Sequence, residues 1–246
     1  MKTKLFGLLA GIGICAVAVQ PAAAVSSPFV TPAGSTCGGE TCAAEATITT
    51  GAGSISVTIT DLSTPAQIIS AGQALSDLSF TLSNAPGTQG TLTANSGQLA
   101  NIGAGGSVTN VSGLPVRWIG QGPPPPGGSG TFTVTGNTIL MEAIGGGQPS
   151  QMILPSGGSF TNANSSITDG MFSPFVVGPA GFTLAFSGVT AGTTVTSAQF
   201  SFGTGPDFFI PGVLVPGPIV GAGLPGLVAA CGVLLALARR RRQLVS

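Results

Sequence analysis

Between residues 25 and 215, apolar and polar positions alternate with a period of two rather than 3.6. Residues 54–60 read Ser-Ile-Ser-Val-Thr-Ile-Thr, the signature of a strand with one buried face. Residues 131–135, 182–186 and 199–202 repeat the pattern. Further strands are predicted at 46–50, 78–82, 90–93, 107–111, 116–119, 139–144, 159–162 and 193–198. Turn-forming clusters at 50–53, 84–87 and 189–192 separate them. Many short strands with turns between them predict an all-β body, a sandwich or jelly roll. The one helix candidate within it is 65–75, weakened by Gly72. Phe80, Trp118, Phe132, Phe160, Phe172, Phe182, Phe186, Phe200 and Phe202 are the predicted core aromatics. Residues 122–130, with four consecutive prolines among glycines, read as a long loop within that body.

Both ends break the alternation. Residues 1–24 have the layout of a secretory signal peptide: Lys2 and Lys4, an apolar stretch over 5–19, Pro21, then Ala22-Ala23-Ala24. Cleavage is expected after Ala24, with Ala22 and Ala24 as the small recognition residues and Val25 as the new N-terminus. Residues 219–238 carry no charge, and twenty residues in a helix span about 30 Å, one hydrocarbon core. Arg239, Arg240, Arg241 and Arg242 follow at once. Each would cost about 2.5–3.5 kcal/mol at the bilayer centre, so they act as a cytoplasmic stop to transfer. The expectation is a single C-terminal transmembrane helix, with residues 25–214 exported across the inner membrane.

A short proline motif (Val215, Pro216, Gly217, Pro218), one apolar span and a terminal arginine cluster together resemble the PEP-CTERM sorting signal of Gram-negative bacteria, here over residues 215–242. Gly217 stands where the family name implies Glu. The resemblance implies recognition by an exosortase, a membrane-embedded cysteine protease or transpeptidase, that cleaves near the proline motif. It also implies transfer of the body to the cell surface or its release, in association with exopolysaccharide and biofilm systems.

Charge narrows the chemistry. The chain has 7 Lys or Arg, 7 Asp or Glu, and no His or Tyr among 246 residues. Between residues 25 and 215 a single base, Arg117, faces seven acids, a net charge of −6. No basic patch exists to neutralise phosphates, which excludes a nucleic-acid partner. Without His, a Ser-His-Asp or Cys-His catalytic site is excluded, and no Lys is present in the body for a Ser-Lys site. No catalytic residue, metal site or cofactor is therefore assigned. Cys37 and Cys42, in an oxidising compartment, are expected to form a small disulfide loop. The reading is an exported structural protein of the cell surface or extracellular matrix, anchored in the membrane before processing. The alternative is a β-sandwich module that binds glycan through an exposed Trp118, or calcium through Asn162, Asn164 and Asp169.

Overall fold

The computed structural model describes residues 24–118, 131–144, 148–205 and 208–216. The expected leader up to residue 23, the proline-rich loop 122–130, the span 219–238 and Arg239 to Arg242 lie outside the described residues. The chain opens with β1 (Val25–Val30), a small hairpin of β2 (Thr36–Cys37) and β3 (Glu40–Thr41), and the long pair β4 (Ala44–Gly51) and β5 (Ser54–Asp61). Next come β6 (Leu75–Leu82), β7 (Gln89–Ser96), β8 (Leu99–Ile102) and β9 (Val108–Val111). After these stand β10 (Thr131–Thr135), β11 (Thr138–Glu142), β12 (Ile153–Leu154), one helical turn α1 (Ser165–Thr168), β13 (Phe175–Val177) and β14 (Ala180–Ala185). The last strands are β15 (Val195–Phe202), β16 (Phe208–Pro211) and β17 (Val213–Leu214). The protein is all-β.

The strands form a sandwich-like wrap whose pairing is antiparallel except between β12 and β13. One face runs β17-β1-β4-β5-β14-β7. At one corner β10 changes partner: Thr131, Phe132 and Thr133 pair with β7, while Val134 and Thr135 pair with β11. The second face continues through β11, β6, β15 and β16. At the other corner Gly212 still donates its N–H to Ala198 O at 2.8 Å, and two residues later Leu214 pairs with Phe29 of β1. Both corners are thus bridged by a strand that switches faces, so β1 and β15 present no open edge there.

Alternation decides which side chains meet inside. Ala44, Ala46 and Ile48 of β4, Ile55, Val57 and Ile59 of β5, and Phe182 and Leu184 of β14 point inward. They pack in one core with Leu78, Phe80 and Leu82 of β6 and Phe200 and Phe202 of β15. Gly90 in β7 is required by this packing: a Cβ there would lie 2.2 Å from the Phe186 ring.

Four expectations are corrected. Val116 and Trp118 are buried but belong to no strand, and Pro115 leaves this stretch in an irregular path across the core. Residues 159–162 form a loop that inserts Phe160, whose backbone N–H bonds Gly106 O at 2.9 Å. The 65–75 helix is replaced by two single 3-10 turns, Pro65–Gln67 and Ala71–Gln73, capped by Thr64 and Ser70. The Gln73 side chain, which would have continued a helix surface, is buried and donates to Thr41 O and Gln67 O, both at 2.9 Å. Phe172 is half-buried against the core rather than within it.

Candidate functional site

Of the residues expected to govern export, Ala24, Val25, Val215 and Pro216 are described, and they lie on or beside two adjacent strands, the β1–β17 seam. Ala24 is exposed, and Val25 begins β1 directly after it. β1 lies between β4 and β17, with Phe29 opposite Leu214 and Val30 opposite Val213. Val215, the first motif residue, donates its N–H to Pro28 O at 2.9 Å. Pro28 has no N–H of its own to offer, so its carbonyl is the anchor point. Because the two strands are antiparallel, the chain leaving through exposed Pro216 heads toward the same end of the body as Ala24. Ala22, Gly217, Pro218 and Arg239 to Arg242 lie outside the described residues. Among the described residues no helix is long and apolar enough to cross a membrane.

Cys37 and Cys42 are joined by a disulfide, both sulfurs buried, and the bridge closes the β2–β3 hairpin. A Cβ on Gly38 would touch the Phe208 ring at 3.8 Å, so this hairpin sits against the start of β16. The loop is short; on the chain-entropy model it contributes about 2 kcal/mol.

The acids are placed in two ways that the sequence alone does not disclose. Asp61 ends β5 and is 3% exposed. Its Oδ1 accepts the Ser63 N–H at 2.8 Å, while Oδ2 has no partner. Burial pushes its carboxyl up to about 7, against the lowering effect of the Ser63 bonds. Asp77, in the central strand β6, stands directly opposite Glu142 of β11 on one side and Ser201 of β15 on the other. Directly opposed residues of antiparallel strands have Cβ atoms about 5 Å apart. Asp77 is 4% exposed; Oδ2 accepts from Ser76 Oγ at 3.1 Å, and Oδ1 and the Ser201 hydroxyl have no partner. Burial pushes Asp77 up to about 6, and the Glu142 charge adds to the rise. Burial raises Glu142 as well. The two carboxyls act on each other through charge and share no hydrogen bond. Glycoside cleavage needs both acids in contact with a sugar, and Asp77 is sealed behind the sheet.

The alternative binding residues are engaged in structure. Trp118 is 0% exposed, donates its indole N–H to Gln151 O at 2.9 Å and stacks on Phe182 with ring centroids 6.0 Å apart. That placement overturns its role as an exposed sugar platform. Asn164 caps α1, accepting from Ser166 N–H at 2.9 Å and from Ser166 Oγ at 2.7 Å. Asn162 donates to Ala66 O at 2.7 Å, and Asp169 Oδ1 accepts from Met171 N–H at 3.1 Å. These oxygens and amides hold the loop, as Asn- and Asp-rich turns do without an ion. Among the described residues no three His, Cys, Asp or Glu side chains cluster as metal ligands.

Sequence reasoning missed the Val215–Pro28 tie and the Asp77–Glu142–Ser201 row. Both depend on strand register between segments far apart in the chain. Comparison with protein-family models, with curated proteins and with solved structures finds no match to this chain.

Proposed function

We propose that this protein is an exported structural component of the cell surface or extracellular matrix. Its sandwich-like β body is carried across the inner membrane by a cleaved leader and held at first by the C-terminal span 219–238. A sorting enzyme of the exosortase type then acts at the motif that begins with Val215. The body itself performs no catalysis; it works by packing, with exopolysaccharide as its matrix partner.

The observation that carries this reading is the seam. The expected leader cleavage point and the sorting motif emerge from adjacent, antiparallel strands at one end of the body. Leader and tail, the two membrane connections in this reading, would then leave the body on the same side. The Cys37–Cys42 bridge adds support, since such bonds persist in oxidising compartments.

Fractionation of cells producing the full chain, or a chain ending at Pro216, tests this. The full chain is expected in the membrane and surface fractions, and the shortened chain as soluble exported protein. Identical distribution of the two would refute a sorting role for the tail. In surface-displayed protein, mass spectrometry is expected to find no peptide beyond the Pro216 region.

A further inference from the structure

The strand directions divide the body into two ends of opposite character. At the end where both termini leave stand the turns 51–53, 84–87 and 187–192, together with Gly136 and Asn137. No charged residue occurs in any of them. Every charged side chain among the described residues lies toward the other end. Glu40 sits in the β2–β3 hairpin, Glu45 opposite Val30, and Asp61 opposite Ala44. Asp77 and Glu142 pair near the far ends of β6 and β11. Arg117 is bound through its N–H to Gln151, and Asp169 closes α1 beside the 65–73 turns. Among the described residues, six acids and one base thus occupy one end; the other holds no charged side chain, only the α-ammonium of Val25 once the leader is removed.

The charge-free end also carries a network of internal hydrogen bonds. Gly53 N–H donates to Val189 O at 2.9 Å, Phe186 N–H to Gly53 O at 3.0 Å, and Gly188 N–H to Pro86 O at 2.9 Å. Asn84 Nδ2 donates to Gly188 O at 2.9 Å, and Thr193 Oγ1 donates to Asn84 Oδ1 at 2.7 Å. Thr50 Oγ1 donates to Thr193 O, which ties the β4 end to the same cluster. Groups already paired lose little when water is removed from them, whereas unpaired polar groups and charges lose a great deal.

Chain length then says what lies against this end. Val215 is level with Pro28, so Pro216 is level with Ser27. From Pro216 to Ile219, where the apolar span begins, three residues reach at most about 11 Å. The stretch of β1 from Ser27 back to Ala24 occupies about 10 Å. The span therefore begins no farther out than roughly the level of Ala24, leaving no length for a spacer. Glu45, six residues along β4 from Gly51, is by contrast about 20 Å away, beyond a Debye length of about 8 Å.

We propose that the charge-free end, formed by turns 51–53, 84–87 and 187–192, rests on the headgroup layer of the bilayer while the acidic end points away from it. The inference deepens the membrane-anchored reading above and rests on it. The test uses the full chain in phosphatidylcholine vesicles containing headgroup-nitroxide phosphatidylcholine, which quenches nearby indoles. Ala52→Trp and Ser187→Trp report the charge-free end; Leu62→Trp and Ile69→Trp report the other. Trp118, fully buried, is a constant background. All four positions are at least partly exposed, and each end has two reporters in case one variant does not fold.

The chain is expected to float with the vesicles, the Ala52→Trp and Ser187→Trp indoles losing most of their emission and the other two keeping theirs. Flotation with equal quenching at both ends, with the order reversed, or with none would overturn the orientation while leaving the anchor intact. Failure to float would overturn the anchored reading itself, and this inference with it.

Discussion

Asp61→Asn probes the linkage between a buried carboxyl and folding. In the unfolded chain Asp61 titrates near its ordinary value of 3.8; in the fold burial pushes it to about 7. The native state therefore binds the proton more tightly, and stability falls as pH rises from about 4 to about 7. Each pKa unit is worth about 1.4 kcal/mol, so ionised Asp61 destabilises the fold by about 4 kcal/mol above that window. Asn retains an oxygen for the Ser63 N–H but places an amide where Oδ2 already lacks a partner. An unsatisfied amide costs about 1–3 kcal/mol. The variant is expected to be less stable than the wild type at pH about 4 and more stable at pH about 8, so the two curves cross. Urea unfolding of the full chain in neutral detergent across that range measures this. Parallel curves for the two proteins would refute the assignment of the pH dependence to Asp61.

Other outcomes follow from the packing. Asp77→Asn should remove a second, smaller pH-dependent loss of about 3 kcal/mol, with its midpoint shifted when Glu142→Gln relieves the neighbouring charge; the same urea series reads both. Trp118→Ala should lower stability by about 3–5 kcal/mol, because it empties a core site and orphans Gln151 O, and thermal unfolding will show it. Gly90→Ala should drive its methyl into the Phe186 ring and destabilise by about 1–3 kcal/mol, a loss that Phe186→Leu in the same chain partly restores. Replacing Cys37 and Cys42 by Ala together should cost only about 2 kcal/mol and leave the β1–β17 seam protected in hydrogen exchange.

The strands with strict alternation were readable because one face is buried and the other wet. Residues 54–60 fall within β5, and 46–50 within β4. The short strands were not. Ile153–Leu154 and Phe175–Val177 are apolar on both faces, so no alternation marks them. Phe208–Pro211 and Val213–Leu214 contain no polar residue either, and Pro28 interrupts the pattern of β1. The 65–75 segment had helical composition, but burial of Gln73 with its amide bonded to Thr41 and Gln67 favours two separate turns. At the seam, the sequence supplies the motif that begins with Val215 but not its partner. Pro28 lies nearly the whole body away in the chain, and only closure of the wrap brings the two together. The Asp77–Glu142 pair was hidden for the same reason: register, not spacing, sets it.

Intact-mass spectrometry of protein recovered from cell membranes addresses export most directly. The expected mass is that of a chain starting at Val25 with Cys37 and Cys42 oxidised to one disulfide. Membrane-recovered chain still starting at Met1, with both thiols free, would contradict it.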